Sequence, residues 1–289
     1  VCTLLGVALA GCAASPDATR TQATRPIAPT TPPPTLATIA AVYNPRVVDL
    51  AVLRTPVTML IDRPGLAADG SRTEAREKNQ IEGSMQWQLP KKFSLRGDKV
   101  GQTLFWVGSN ETQYWSLDVG SDEPFAVLGA HDKLTPRKVA SLGLPAHPLD
   151  VLEALCVTPL EQDATSVRWG SQAGTVQVQS VAQLGVVVSR TLDAKTFEPR
   201  RVELATPAGQ TLLVATLSRF RAVPVVGKAF SPAAIATQID LLLPLEDTRL
   251  TLLLSDPQSP EAGSLRQRPF EPAALLKAHN VSQVRNLDN

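Results

Sequence analysis

Ile81-Glu82-Gly83-Ser84-Met85-Gln86-Trp87-Gln88-Leu89-Pro90 decides the fold class. Ile81, Gly83, Met85, Trp87 and Leu89 alternate with Glu82, Ser84, Gln86 and Gln88. A period of two sends the first set to one face of a strand and the second to the other, so the segment predicts a half-buried antiparallel strand. Pro90 lacks the N–H a ladder needs and ends it. Beyond it, Phe93, Leu95 and Gly97 open a second strand, with Lys92, Ser94 and Arg96 outward. Residues 102–107 and 113–119 flank Gly108-Ser109-Asn110-Glu111-Thr112, which reads as a five-residue hairpin connection.

The same signal returns after residue 166. Strands are expected over 167–169, 175–181, 184–192, 200–206 and 210–223, parted by turn residues such as Asp193-Ala194-Lys195 and Pro207-Ala208-Gly209. Residues 235–243 and 248–254 form a further pair. Upstream, 47–61 predicts one or two extended segments interrupted near Pro56, and 64–79 a long polar loop. Three helices interleave. Leu36, Ile39, Ala40 and Tyr43 share one face of a short helix that Pro45 should end. Leu149, Leu152, Leu155 and Cys156 stripe a second over 147–157, and Pro272 to Asn280 bounds a third. About ten antiparallel strands with few helices predict an α+β fold: one large curved sheet, a half-closed β-barrel, its concave face covered by the helices at 36–43 and 151–156.

The chain has 289 residues, 43% of them hydrophobic and 19% charged, with net charge +1. That composition supports a sizeable core and excludes nucleic-acid binding through bulk charge. No run of 18 apolar residues marks a spanning helix.

The amino-terminal residues point to export. Val1 to Ala10 is an apolar run of signal-peptide length, read as truncated at its start. Leu9-Ala10-Gly11-Cys12 then has the form of a bacterial lipobox, with Cys12 the acceptor of a diacylglyceryl group and the first residue after cleavage. Two acyl chains give stable anchoring where one is marginal. Residues 12–35 follow as a Thr- and Pro-rich tether, extended over roughly 60 Å at about 3 Å per residue. Residues 36–289 form a single domain, with an extension from about 257. Cleavage would leave only Cys156 besides the anchor, so no internal disulfide is expected.

The tether, the first helix and the run Gly83-x-Met85-x-Trp87-x-x-Pro90-x-x-Phe93-x-Leu95-Arg96-Gly97 resemble the LolA/LolB-like lipoprotein carriers. Phe105-Trp106-Val107-Gly108-Ser109-Asn110 and the later Leu152-Glu153-Ala154-Leu155 fit the same outline. The resemblance implies a half-closed barrel with a helical lid over an apolar cavity for acyl chains or lipoprotein lipid. A membrane-anchored module that binds acyl chains or lipoproteins needs no cofactor, and the missing nucleophile–base set predicts no enzymatic activity. The anchor suits the LolB-like members, and Ala13 after Cys12, in place of Asp, points to the outer membrane facing the periplasm.

No catalytic constellation stands out. His131, His147 and His279 lack metal-ligand spacing and read as surface or satisfied histidines. Gly170-Ser171-Gln172-Ala173-Gly174 has its serine in the wrong place for a nucleophile elbow. Trp87, Phe93, Leu95, Trp106 and Trp115 are the candidate lining of a lipid cavity. The alternative, a packed structural lipoprotein in which these side chains fill a solid core, is equally compatible with alternation, because cavity walls and core walls both point inward.

Overall fold

The computed structural model describes residues 31–67, 71–142, 147–161, 166–228, 233–261 and 263–289. The lipobox residues Leu9, Ala10, Gly11 and Cys12 lie outside the described residues, as does most of the tether.

The chain enters through helix α1 (Leu36–Asp49), capped by the Thr35 side chain, which accepts from the Thr38 amide. Then come β1 (Val52–Leu66), β2 (Arg72–Gln88), β3 (Lys92–Lys99), β4 (Gln102–Ser109), β5 (Gln113–Asp118) and β6 (Phe125–Ala130). Two short helices, α2 (Pro136–Ala140) and α3 (Pro148–Ala154), precede β7 (Ser166–Trp169), β8 (Thr175–Val181), β9 (Val187–Asp193), β10 (Pro199–Ala205), β11 (Thr211–Ala222), β12 (Ala234–Leu243) and β13 (Thr248–Leu254). Helix α4 (Pro272–Ala278) and β14 (Gln283–Asn286) close the chain. Among the described residues, fourteen strands join one open sheet, in the order β14-β6-β5-β4-β3-β2-β1-β13-β12-β11-β10-β9-β8-β7. Every pairing is antiparallel except β14 with β6, which is parallel. The α+β class and the curved, unclosed sheet are those the alternation predicts.

Register defines the faces. Leu53 pairs with Trp87, and Trp87 with Phe93. Leu95 pairs with Val107, and Ile239 with both Leu252 and Leu217. These residues therefore share one face, and α1 and α3 pack on it: Ile39, Tyr43, Val47, Leu152 and Leu155 belong to the same buried cluster. This is the concave face, covered by the two helices expected there. The opposite face is covered where β4, β5 and β6 meet α4, by Trp106, Trp115, Leu117, Ala126, Leu275 and Val281.

Several expectations are corrected. Pro45 does not end α1, which runs on to Asp49. One lost N–H is offset by the next turn, where Val47 is buried and Arg46 donates to the carbonyls of Cys156 and Ala234. Pro56 does not interrupt β1. Its missing N–H faces Ser255, whose carbonyl accepts instead from the Thr55 hydroxyl at 2.9 Å. The polar stretch 64–79 is a connection only over 67–71, and its remainder lies in β1 and β2. There the side chains pair across strands: Arg63 with Glu77 at 3.2 Å, and Arg76 with Asp62 and Asp247. Polarity hides a strand when both of its faces carry complementary charge.

The β4–β5 connection is Asn110-Glu111-Thr112, tightened by the Asn110 side chain, which accepts from the Thr112 and Gln113 amides. Ser94, expected outward, is fully buried. The carboxyl-terminal segment lies over that region: Lys92 donates to Gln267, and Asn110 donates to the Phe270 carbonyl.

Candidate functional site

The five aromatic and apolar residues singled out from the sequence do not share a wall. Trp87 and Phe93 are fully buried and Leu95 half-buried on the concave face. The Trp87 indole donates to the Leu50 carbonyl at 2.8 Å, tying the sheet to the end of α1. Trp106 and Trp115 point the other way, because Trp106 pairs with Leu117 and Gly108 with Trp115. Their partners are α4 and the Arg96 guanidinium, whose carbon lies 5.6 Å from the Trp106 ring centroid. Gly108 leaves room for the Trp115 ring: a Cβ there would stand 2.6 Å from it. Around Trp87 and Phe93 the concave face is solid core, seated directly against Tyr43, Leu50 and Leu155.

A polar lock holds the helices on that core. Arg190, 2% exposed, sits on β9 among apolar neighbours and pairs with Glu153 of α3, with Ser180 at 2.8 Å and with Thr158 at 3.0 Å. Burial works against its charge, and Glu153, Tyr43 and Cys156 together more than offset that. The Tyr43 hydroxyl donates to the Cys156 carbonyl at 2.8 Å. Cys156 itself is a buried free thiol whose pKa burial raises. It is the small apolar core residue its stripe predicts.

Further along the sheet the concave face stays open. A groove of about 840 Å³ runs over Phe105 and Val107 of β4, Ser116 and Asp118 of β5, and Phe125 and Val127 of β6. Leu142, just beyond α2, forms one bank; Arg63 and Arg285 stand at its rim. Phe125 and Val284, both on its lining, are exposed large apolar residues. Its size is that of a small-molecule site, and its floor is apolar. Sequence reasoning missed this groove, since β6 and β14, which line one side of it, carry no long alternating pattern.

Behind Leu142 lies a second feature hidden from the sequence. His131 and His147, sixteen positions apart, are brought together with ring centroids 5.7 Å apart. Tyr114 lies 4.8 Å from His147, edge-on, and its ring fills the space that a side chain on Gly129 would occupy. His147 is the N-cap of α3: its Nδ1 accepts from the Leu149 amide at 3.2 Å, and Asp150 returns the bond to the His147 amide. The expectation of surface or satisfied histidines is thus corrected for His147, which is buried with its Nε2 unpartnered among the described residues. Burial, with His131 alongside, pushes its pKa down to about 3. Burial also raises Asp150 to about 7, against the pull of the His147 amide. Among the described residues no three His, Cys, Asp or Glu side chains are grouped to hold a metal ion. No helix among them is long and apolar enough to cross a membrane.

No protein-family model and no curated protein matches the sequence. Solved structures do match the fold. A LolA superfamily protein from Nitrosomonas europaea superposes with a TM-score of 0.51 at 12% identity, covering 82% of this chain and 98% of that one. A putative outer membrane lipoprotein-sorting protein domain from Vibrio parahaemolyticus gives 0.50 at 10% identity, covering 82% of this chain and 97% of that one. At such identities the likeness concerns architecture alone, and on that ground the chain carries a LolA-like fold: a curved, open, antiparallel sheet with helices seated in its hollow.

Proposed function

We propose that this protein is a lipid-binding carrier or receptor of the bacterial cell envelope, holding an acyl chain or lipoprotein lipid in its concave groove. The observation that carries the reading is a groove of about 840 Å³ on the concave side of β4, β5 and β6, open at Phe105, Ser116 and Phe125 and closed at its base by the buried Val107 and Val127. Each buried CH₂ of a chain lying there contributes about 0.8 kcal/mol. The LolA-like fold supports the reading, and so does the Vibrio protein's description as lipoprotein-sorting. No covalent step and no cofactor enter into it. A diacylglyceryl group on Cys12, behind Leu9-Ala10-Gly11, would hold the domain to a membrane, with the outer membrane favoured by Ala13.

Three measurements test this. Mass spectrometry of lipids co-purifying with a soluble Cys12→Ala form should find acyl-bearing species, and the protein should take up a fluorescent fatty acid. Clean protein with no uptake would refute lipid carriage. The same substitution should release the domain from membranes or leave an unprocessed precursor. Wild-type processing and attachment would refute the anchor.

A second reading has its own support. Trp87, Phe93 and Tyr43 are fully buried where α1 and α3 meet the sheet, leaving no hollow beneath them. A structural or assembly lipoprotein with a packed core would need nothing more. It expects no lipid to co-purify or be taken up, and groove substitutions to leave the protein's envelope role intact.

A further inference from the structure

The rim of the groove is not electrically uniform. Arg63 is neutralised by Glu77 at 3.2 Å, and Lys138, on α2 nearby, by Asp288 at 2.6 Å. Among the acids, Asp118 Oδ1 accepts from the Gly120 and Ser121 amides, each at 3.2 Å, and Glu123 accepts from Gln283 at 3.0 Å. Arg285 alone among these charged groups has no hydrogen bond or ion pair within the described residues. It sits on β14, opposite Val127 of β6, so its side chain rises on the concave side next to the apolar floor. The floor also bears the Ser116 hydroxyl, which has no hydrogen bond among the described residues. An exposed guanidinium beside an apolar trough, with Phe125 uncovered at the same mouth, suits a molecule that is greasy along its length and negative at one end.

We infer that the groove takes a single-chain amphiphile with an anionic head, a carboxylate or phosphate, held at Arg285 while the chain lies over Phe105, Val107 and Val127. The inference rests on the lipid-binding reading of the groove and adds a head-group preference to it. Arg285 is a specificity-determining residue in this account. It belongs to the carboxyl-terminal extension, which thus supplies part of the site.

Displacement of a fluorescent fatty acid from full-length Cys12→Ala protein, by oleate and by uncharged monoolein, tests it. Both competitors carry the same chain. Oleate should compete about three- to tenfold better, the range expected of one partly exposed charge-assisted contact. Arg285→Gln should bring oleate down to the monoolein level and leave monoolein unchanged. Raising salt from about 50 to 500 mM should narrow the gap in the wild type, since an exposed charge is screened. Inorganic phosphate alone should displace oleate weakly and monoolein not at all. Equal competition by the two lipids, or an oleate preference that survives Arg285→Gln, would overturn the head-group assignment. Ser116→Phe, which fills the floor, separates that failure from failure of the groove itself. If it weakens both lipids, the groove stands without the anion preference; if neither lipid binds the unmodified groove, both claims fall.

Discussion

At Thr55 one hydroxyl substitutes for a backbone donor that proline removes. Thr55→Val keeps the shape and the β-branching but leaves the Ser255 carbonyl without this partner in a site only 2% exposed. A loss of about 1–3 kcal/mol is expected, read as a lower urea midpoint with an unchanged slope. His147 gives a second prediction at this scale. Its folded pKa lies near 3 against an ordinary 6.5, so the folded state binds fewer protons than the unfolded one below pH 6.5. Stability is therefore lost as pH falls through that window, by up to about 1.4 kcal/mol per unit. Asp150 acts in the opposite sense: raised from 3.8 to about 7, it contributes fully below 3.8 and loses its contribution as pH rises towards 7. His147→Asn retains a cap acceptor for Leu149 and removes the first effect. The variant should gain on wild type progressively from pH 6.5 to 4.5 in urea titrations. Parallel curves for the two proteins would refute the assignment.

Among the elements, α3 depends most on a single contact. It has seven residues, too few to be stable alone, and Glu153 fastens it to Arg190 in the sheet. Glu153→Ala strands a buried guanidinium and should cost about 3–5 kcal/mol. Amide exchange should rise first across 148–156 and only later in β12. Uniform exchange would mean that the pair does not govern the helix. The strands themselves differ in how openly the sequence declares them. Residues 81–89 alternate cleanly because one face meets the core and the other meets water. The Arg72–Lys78 half of β2 is polar on both faces, and its pairing depends on a partner strand that no local pattern reveals. The split of the aromatic set was partly legible: Tyr114 and Trp115 are neighbours on one strand and must face opposite ways. Which of them faces the helices depends on register, and register depends on the whole hairpin. What covers the outer one, Leu275 and Val281, lies some 160 residues away.

For the molecule as a whole, the carboxyl-terminal extension is an integral part of the fold. Removing residues 263–289 would uncover Trp106 and Trp115 on the convex face and delete β14. Such a truncation should show red-shifted tryptophan emission and self-association, whereas an unchanged spectrum would mean that α4 merely rests on the surface. The general architecture could be read from periodicity, because a sheet with one dry face writes its period into the chain. The groove could not. It exists where α1 and α3 stop covering the sheet, and that is a matter of how long the helices are in space.

One contact fixes where the chain enters the fold. The Trp169 indole, on β7, donates to the Thr31 carbonyl at 2.7 Å, at the point where the chain arrives from its amino-terminal side. β7 and β14 are the two margins of the sheet. The entry of the chain is thus stitched to one border strand, while the lining of the groove comes from β4, β5, β6 and the other border strand, so Trp169→Phe should loosen the entry without altering the groove.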